Sequence, residues 1–138
     1  MGPISGTTAT VNLPTNRATI YVRLWTFING GATQLSNDYT YTEAGPAAIT
    51  SPSPNSTLLS ASTTFSWSAG PTGTTAYYLW IGTTPGGYDL ANEGPFSGTT
   101  ATVNLPTNGT TIYVRLWTFI NGGATQLYRD FGYTEAGP

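Results

Sequence analysis

Apolar and polar residues alternate along this chain in short runs, and the period is two. The clearest run is TIYVRLWTF at 111–119, where Ile112, Val114 and Leu116 fall on one side and Tyr113, Arg115 and Trp117 on the other, as in a strand whose successive side chains point to opposite faces. The opposite register would bury Arg115, which is costly without a partner, so the aliphatic set is the inward one. By the same alternation Phe65 and Trp67 share a face opposite Thr64, Ser66 and Ser68, and Tyr77, Leu79 and Ile81 turn inward, leaving Tyr78 and Trp80 outside. Runs of Thr, Val, Ile, Tyr, Trp and Phe predict strands near 48–51, 63–68, 76–83, 100–105, 111–119 and 126–134. The turn signals SPSPNS, AGPTGT, TTPGGYD, LPTNG and NGG separate them. No run of ten or more residues carries a 3.6 period free of Gly, Pro or β-branched crowding, so no helix is expected.

The same pattern occurs twice. Residues 2–46 laid over residues 94–138, an offset of 92, differ at 7 of 45 positions and so agree at 38. The differences are Ile4/Phe96, Arg17/Gly109, Ala18/Thr110, Ser36/Tyr128, Asn37/Arg129, Tyr39/Phe131 and Thr40/Gly132. Most fall at loop or outward positions or exchange one aromatic for another, as expected if both copies make the same fold. The chain is one and a half tandem copies of a 92-residue unit, with residues 1–46 as a half module and 47–138 as a complete one. A period of domain size points to beads that fold separately, unlike the 20 to 50 residues of a solenoid.

The complete copy resembles a fibronectin type III (immunoglobulin-like) module. The resemblance rests on Pro52 and Pro54 near the first strand, Trp67 in FSWSAGP on the second, the aromatic third strand YYLWIG, and ATVNLPTNGTTIYVRLWTF. That last stretch is similar to the family's Leu-x-Pro-x-x-x-x-Tyr-x-Val region joining the fifth and sixth strands. The resemblance implies an all-β antiparallel sandwich and the setting of repeated modules in bacterial secreted or cell-surface proteins. One departure stands out: the family's inward corner tyrosine falls on Ile112 here, with Tyr113 one residue later, so either a bulge corrects the register or this branch lacks the corner, and the second is the expectation.

Composition narrows the chemistry. There is no His and no Cys, which removes His-centred triads, thiol nucleophiles, disulfides and thiolate or imidazole metal sites. The four basic residues, all arginines (Arg17, Arg23, Arg115, Arg129), are too few and scattered to neutralise a phosphate backbone, so no nucleic-acid partner is expected. Only 7% of the chain is charged, yet 13% is aromatic and 38% hydrophobic, enough apolar surface for a folded core. No stretch approaches the roughly 20 apolar residues of a membrane span, and MGPISGTT has neither the basic nor the apolar region of a signal peptide. That does not argue for the cytoplasm, because the repeat reads as cut from something longer. The six carboxylates (Asp38, Glu43, Asp89, Glu93, Asp130, Glu135) are expected on solvated loops and a strand edge, with no pair placed across a cleft for hydrolysis. Asp89 to Glu93 lacks the dense oxygen ligands of a calcium loop, and GTTPGG at 82–87 lacks the Lys and helix of a phosphate cradle. No enzyme activity and no cofactor are expected.

Two features remain. With the third, sixth and seventh strands in one sheet, Tyr78, Trp80, Tyr113, Arg115, Trp117 and Tyr128 share its outer face, where Arg115 can stack between rings. Such a face serves as cross-strand packing, as a protein interface or as a platform for glycans. The half copy repeats it as Tyr21, Arg23 and Trp25. Second, the half module should supply the fifth to seventh strands, whose apolar face (Val11, Leu13, Ile20, Val22, Leu24, Tyr39, Tyr41) needs a covering sheet. Only residues 47–93 could cover it within the chain, and two nearly identical halves compete for them. One half is left over, which predicts a homodimer or larger assembly. The expected function is an extracellular spacer, stalk or adhesion repeat. Alternatives are a carbohydrate-binding module, and an engineered or fragmentary chain that assembles by half-domain pairing.

Overall fold

A computed structural model of the chain describes residues 2–14, 18–43 and 45–138. The chain divides into two compact units, Met1–Ala44 and Gly45–Pro138.

The second unit is a two-layer antiparallel sandwich. One sheet holds β3 (Ile49–Ser51), β4 (Ser62–Trp67) and β7 (Thr100–Asn104) in the order β3-β4-β7. The other holds β5 (Thr74–Gly82), β6 (Ala91–Phe96), β8 (Thr111–Ile120) and β9 (Thr125–Thr134) in the order β6-β5-β8-β9. Strands β4, β5 and β8 turn their apolar parity toward the space between the sheets. Phe65 and Trp67 from β4, Leu79 and Ile81 from β5, and Ile112, Val114 and Leu116 from β8 are all buried, so the inward sets read from the alternation are the ones that form the core. Ile112 lies fully inside and Tyr113 on the outer face, in a β8–β9 register with no bulge, as expected for a module without the corner tyrosine. The fold is a fibronectin type III-like sandwich.

Three details fix its shape. The chain after β3 leaves its first sheet: the Asn55 and Leu58 N–H groups donate to Gly132 and Thr134 carbonyls at 2.8 Å each, so this segment ties β9 to the opposite layer. The Tyr133 hydroxyl, reaching from β9, donates to the Pro52 carbonyl at 2.9 Å across the same seam. At the β8–β9 turn Asn121, Gly122 and Gly123 all have positive φ (53, 69 and 95°), a conformation that Asn and Gly adopt at least cost. That turn contains the only helical element among the described residues, the 3-10 turn Asn121–Gly123.

The first unit contains β1 (Thr19–Ile28) and β2 (Thr33–Thr42), paired as one antiparallel hairpin. It copies β8–β9 position for position: Ile20 faces Tyr41 as Ile112 faces Tyr133, and Arg23 faces Asp38 as Arg115 faces Asp130. Its turn repeats too, with Asn29, Gly30 and Gly31 at φ 54, 67 and 93°.

Two expectations need correction. The strand expected in the half module around Val11 and Leu13 does not form, and the apolar face is two-stranded. Its counterpart β7 is hydrogen-bonded to β4, in the other sheet from β8 and β9. Without a β4 beside it the same sequence has nothing to pair with. The second correction is an omission: β6 follows the acidic turn and pairs with β5, although its sequence ANEGPF carries Gly94 and Pro95 and no alternation.

Candidate functional site

The outer face of β6-β5-β8-β9 brings together most of the aromatic set expected there. Across the β5–β8 register Tyr78 faces Trp117 and Trp80 faces Arg115, and across β8–β9 Trp117 faces Tyr128. The rings form a continuous ladder: Trp80 to Trp117 at 5.2 Å between centroids, Trp117 to Tyr128 at 5.1 Å, and Tyr78 to Phe119 at 4.6 Å. Their planes are tilted or edge-to-face, the arrangements aromatic quadrupoles favour. Tyr113 stands apart, facing Gly82 on one side and Gly132 on the other. Two members were missed in the sequence. Phe119 shares the parity of Tyr113, Arg115 and Trp117, so the alternation held its signal. Tyr88 comes from the turn before β6 to lie 4.9 Å from Trp80, and nothing local marked it.

Arg115 is the polar centre of this face. Its Nε and Nη2 donate to the two carboxylate oxygens of Asp130 at 2.8 and 2.9 Å, a fork geometry suited to a guanidinium. The same group lies 3.9 Å from the Tyr128 ring centroid and 5.7 Å from that of Trp117. The hydrogen bond to Asp130 raises the Arg115 pKa further. The Asp130 partner was not anticipated. In the hairpin, Arg23 and Asp38 make the same fork at 2.6 and 2.9 Å, and the hydrogen bonds from Arg23 hold the Asp38 carboxyl below its usual range. Ser36 stands there in place of Tyr128, so Arg23 has only Trp25, at 5.7 Å, to stack on.

The remaining carboxylates divide. Asp89 accepts from the Thr83 N–H at 2.9 Å and the Thr83 hydroxyl at 2.8 Å, closing the turn between β5 and β6. Glu135 contradicts the expectation of a solvated carboxylate: it is 2% exposed and accepts from the Thr110 hydroxyl at 3.2 Å and the Asn108 N–H at 3.4 Å. Burial is tolerated because these donors replace water in tying the chain before β8 to the end of β9. Glu43, its counterpart, is also buried. No group of three or more His, Cys, Asp or Glu side chains able to hold a metal occurs among the described residues.

The second candidate face lies on the hairpin. Val22, Leu24, Tyr39 and Tyr41 are 41%, 57%, 44% and 56% exposed, and Val11 and Leu13 are exposed as well; Ile20 is half-buried. The counterparts Val114, Leu116 and Tyr133 are 1%, 0% and 2% exposed. Leu13, Pro14, Ile20, Val22 and Tyr41 line an open apolar concavity on this side.

No family model and no curated protein matches the sequence. Among solved structures, the chain is similar to an engineered protein whose crystal structure superposes with a TM-score of 0.50 at 21% identity, over 65% of this chain and 20% of that one. The chain thus spans about a fifth of that protein's length, and the likeness shows a shared fold. An Fn3-like protein from Clostridium thermocellum matches with a TM-score of 0.42 at 20% identity, over 68% of this chain and 96% of that one. By its strand order and core, the second unit of this chain is a fibronectin type III-like β-sandwich module.

Proposed function

We propose that the chain is a non-catalytic repeat of an extracellular bacterial protein, acting as a spacer, stalk or adhesion element, and that it self-associates through the β1–β2 hairpin. One observation carries the second part. The sequence that is sealed in the core as β8–β9 is present again with its inward face open, Leu24 at 57% exposed against Leu116 at 0%. An apolar sheet face of this kind, with unpaired strand edges beside it, is a site for pairing with another chain. Two hairpins packed face to face about a twofold axis would cover both. The lysine-free composition, rich in Thr, Ser, Gly and Asn, supports the extracellular setting, and no helix among the described residues is long and apolar enough to cross a membrane. Size-exclusion chromatography with light scattering tests self-association: a dimer or larger species is expected, and a stable, soluble monomer at high concentration overturns it.

A second reading rests on the aromatic face. Tyr88 and Tyr128 flank the Trp80–Trp117 pair and are 56% and 49% exposed, which leaves ring surface open for stacking on sugars. Titration with polysaccharides while following Trp fluorescence discriminates the two, since no response to any of them favours the structural repeat.

A further inference from the structure

The inward face of β1–β2 matches that of β8–β9 in register and turn, and in sequence at all but two positions. Ile20, Val22, Leu24 and Tyr41 occupy the positions of Ile112, Val114, Leu116 and Tyr133. In the module that face is covered from residues 47–93 by Phe65 and Trp67 across the core and by β5 paired to the edge of β8, and from the second half itself by Ala101, Val103 and Leu105 beside β4. The surface that fits the hairpin is therefore already present once in the chain, as an established interface. On the side of Leu24 the hairpin carries Asn37 where the module has Arg129, and Tyr39 where it has Phe131. Neither change adds a charge that docking would bury.

Reach decides whether the chain's own residues 47–93 can be that surface. The Glu43 N–H donates to the Ala18 carbonyl at 2.9 Å, as the Glu135 N–H donates to Thr110 at 2.8 Å. At the other end of the sandwich the Ala47 N–H donates to Thr118 Oγ1 at 3.0 Å. If the hairpin replaced β8–β9, Thr26 would have to take the place of Thr118. Positions 18 and 26 are eight residues apart along a strand, about 27 Å. Positions 43 and 47 are four residues apart and span at most about 14 Å. The connection is too short by about half, so the two halves do not compete within one chain, contrary to the expectation from the repeat alone.

We infer that the hairpin is a docking face for residues 47–93 of a second copy of this chain, engaged when that copy's own second half is released, and closed to residues 47–93 of its own chain. In the intact chain residues 94–138 are tethered beside 47–93 at an effective concentration in the millimolar range and hold their place. This goes beyond the self-association proposed above and does not depend on it, because an intact chain that stays monomeric sinks that reading and leaves this one standing.

The test disables the module's own second half in the full chain with Val114→Asp. Hairpins and first halves are then equal in number, and two chains can cover each other reciprocally. The expected product is a folded dimer or larger assembly, read by light scattering and by near-ultraviolet circular dichroism of the buried aromatics. A Gly/Ser spacer of about twelve residues between Gly45 and Pro46, long enough to bridge the gap, should convert it into a folded monomer. Adding Val22→Asp should abolish both products. A folded monomer of Val114→Asp without the spacer overturns the reach argument. Absence of any folded species with and without the spacer, or assembly that survives Val22→Asp, overturns the hairpin as the docking face.

Discussion

Arg115 and Asp130 face each other across β8 and β9 and are joined by two hydrogen bonds of 2.8 and 2.9 Å, with the Tyr128 ring 3.9 Å from the guanidinium. Arg23 and Asp38 repeat the fork on the hairpin, yet their side chains are 55% and 64% exposed against 19% and 43% for the module pair. An exposed pair is screened by water and adds little. The ring roof over Arg115 and its covered aliphatic stem are what make the second copy of the fork count.

Arg115→Ala should therefore lower the stability of the module by about 1 kcal/mol, through lost stacking and stem packing as much as lost charge. Arg23→Ala should leave the module's denaturation midpoint where it was. Urea unfolding followed by Trp fluorescence reads both, and equal effects from the two substitutions would contradict the contrast in burial.

The leucine pair Leu24 and Leu116 gives a wider contrast. Leu116 is 0% exposed in the core, and its replacement by Ala should cost about 2–5 kcal/mol from lost transfer energy and the cavity left behind. Leu24 sits in an identical local sequence at 57% exposed, and Leu24→Ala should shift module stability by less than about 0.5 kcal/mol. Thermal or urea denaturation of the two variants checks the difference.

These paired contrasts mark how far the sequence could be read. Period-two alternation placed Ile112, Val114 and Leu116 inside and Tyr113, Arg115 and Trp117 outside because a strand has only two faces and one choice buried an arginine. It could not show that Val11 and Leu13 would remain outside any strand, because the identical residues Val103 and Leu105 owe their order to a partner far along the chain. Strand β6 was hidden for the converse reason: ANEGPF has no strand pattern of its own and is held by the edge of β5. Arg115 and Asp130 lie symmetrically about the four-residue turn Asn121–Ala124, whereas counting about the NGG signal alone would pair Arg115 with Arg129, so that register was not available from the turn signal. Nor was Tyr88, since a turn residue meets Trp80 only through the path of the backbone.

Gly94 in β6 should be intolerant of any side chain. Its φ is 130°, and a Cβ there would lie 2.7 Å from Tyr78 Cδ1 and 2.9 Å from the Tyr77 carbonyl oxygen. The backbone contact cannot be relieved by a rotamer change, so Gly94→Ala should cost about 1–3 kcal/mol. The repeat-related Gly2 has nothing within 4 Å of such a Cβ, and Gly2→Ala should be silent in the same unfolding assay.

Asp89 gives an acid-side prediction. The Thr83 N–H, then the Thr83 hydroxyl, hold its carboxyl below the usual carboxylate range. A depressed folded pKa means the unfolded chain binds the proton more readily. The contribution is therefore present above the ordinary Asp value and is lost as the pH falls through the folded value. Asp89→Asn should be the less stable protein at pH 7 and should approach the parent as the pH falls below about 4. A stability gap unchanged between pH 7 and pH 3 would remove the carboxylate from the turn's energetics.

Tyr133 gives the alkaline counterpart, with the opposite sign. Burial pushes its hydroxyl up to about 12, while in the unfolded chain a tyrosine titrates near 10. The folded state holds the proton more tightly, so its contribution is complete below pH of about 10 and falls away as the pH rises from there through about 12. Tyr133→Phe removes the hydrogen bond to the Pro52 carbonyl and should cost about 1 kcal/mol at pH 7. It also removes a group that must ionise on unfolding in alkali while keeping the edge-to-face contact with Phe65, centroids 5.6 Å apart. The variant should therefore start below the parent at neutral pH, close the gap above pH of about 10 and overtake it toward pH 12. Tyr41, the equivalent residue of the hairpin, is 56% exposed, and Tyr41→Phe should leave module stability unchanged across the range. Urea denaturation at a series of pH values from 7 to about 11.5 follows the crossing, and two parallel curves for the parent and Tyr133→Phe would show that the hydroxyl does not titrate with folding.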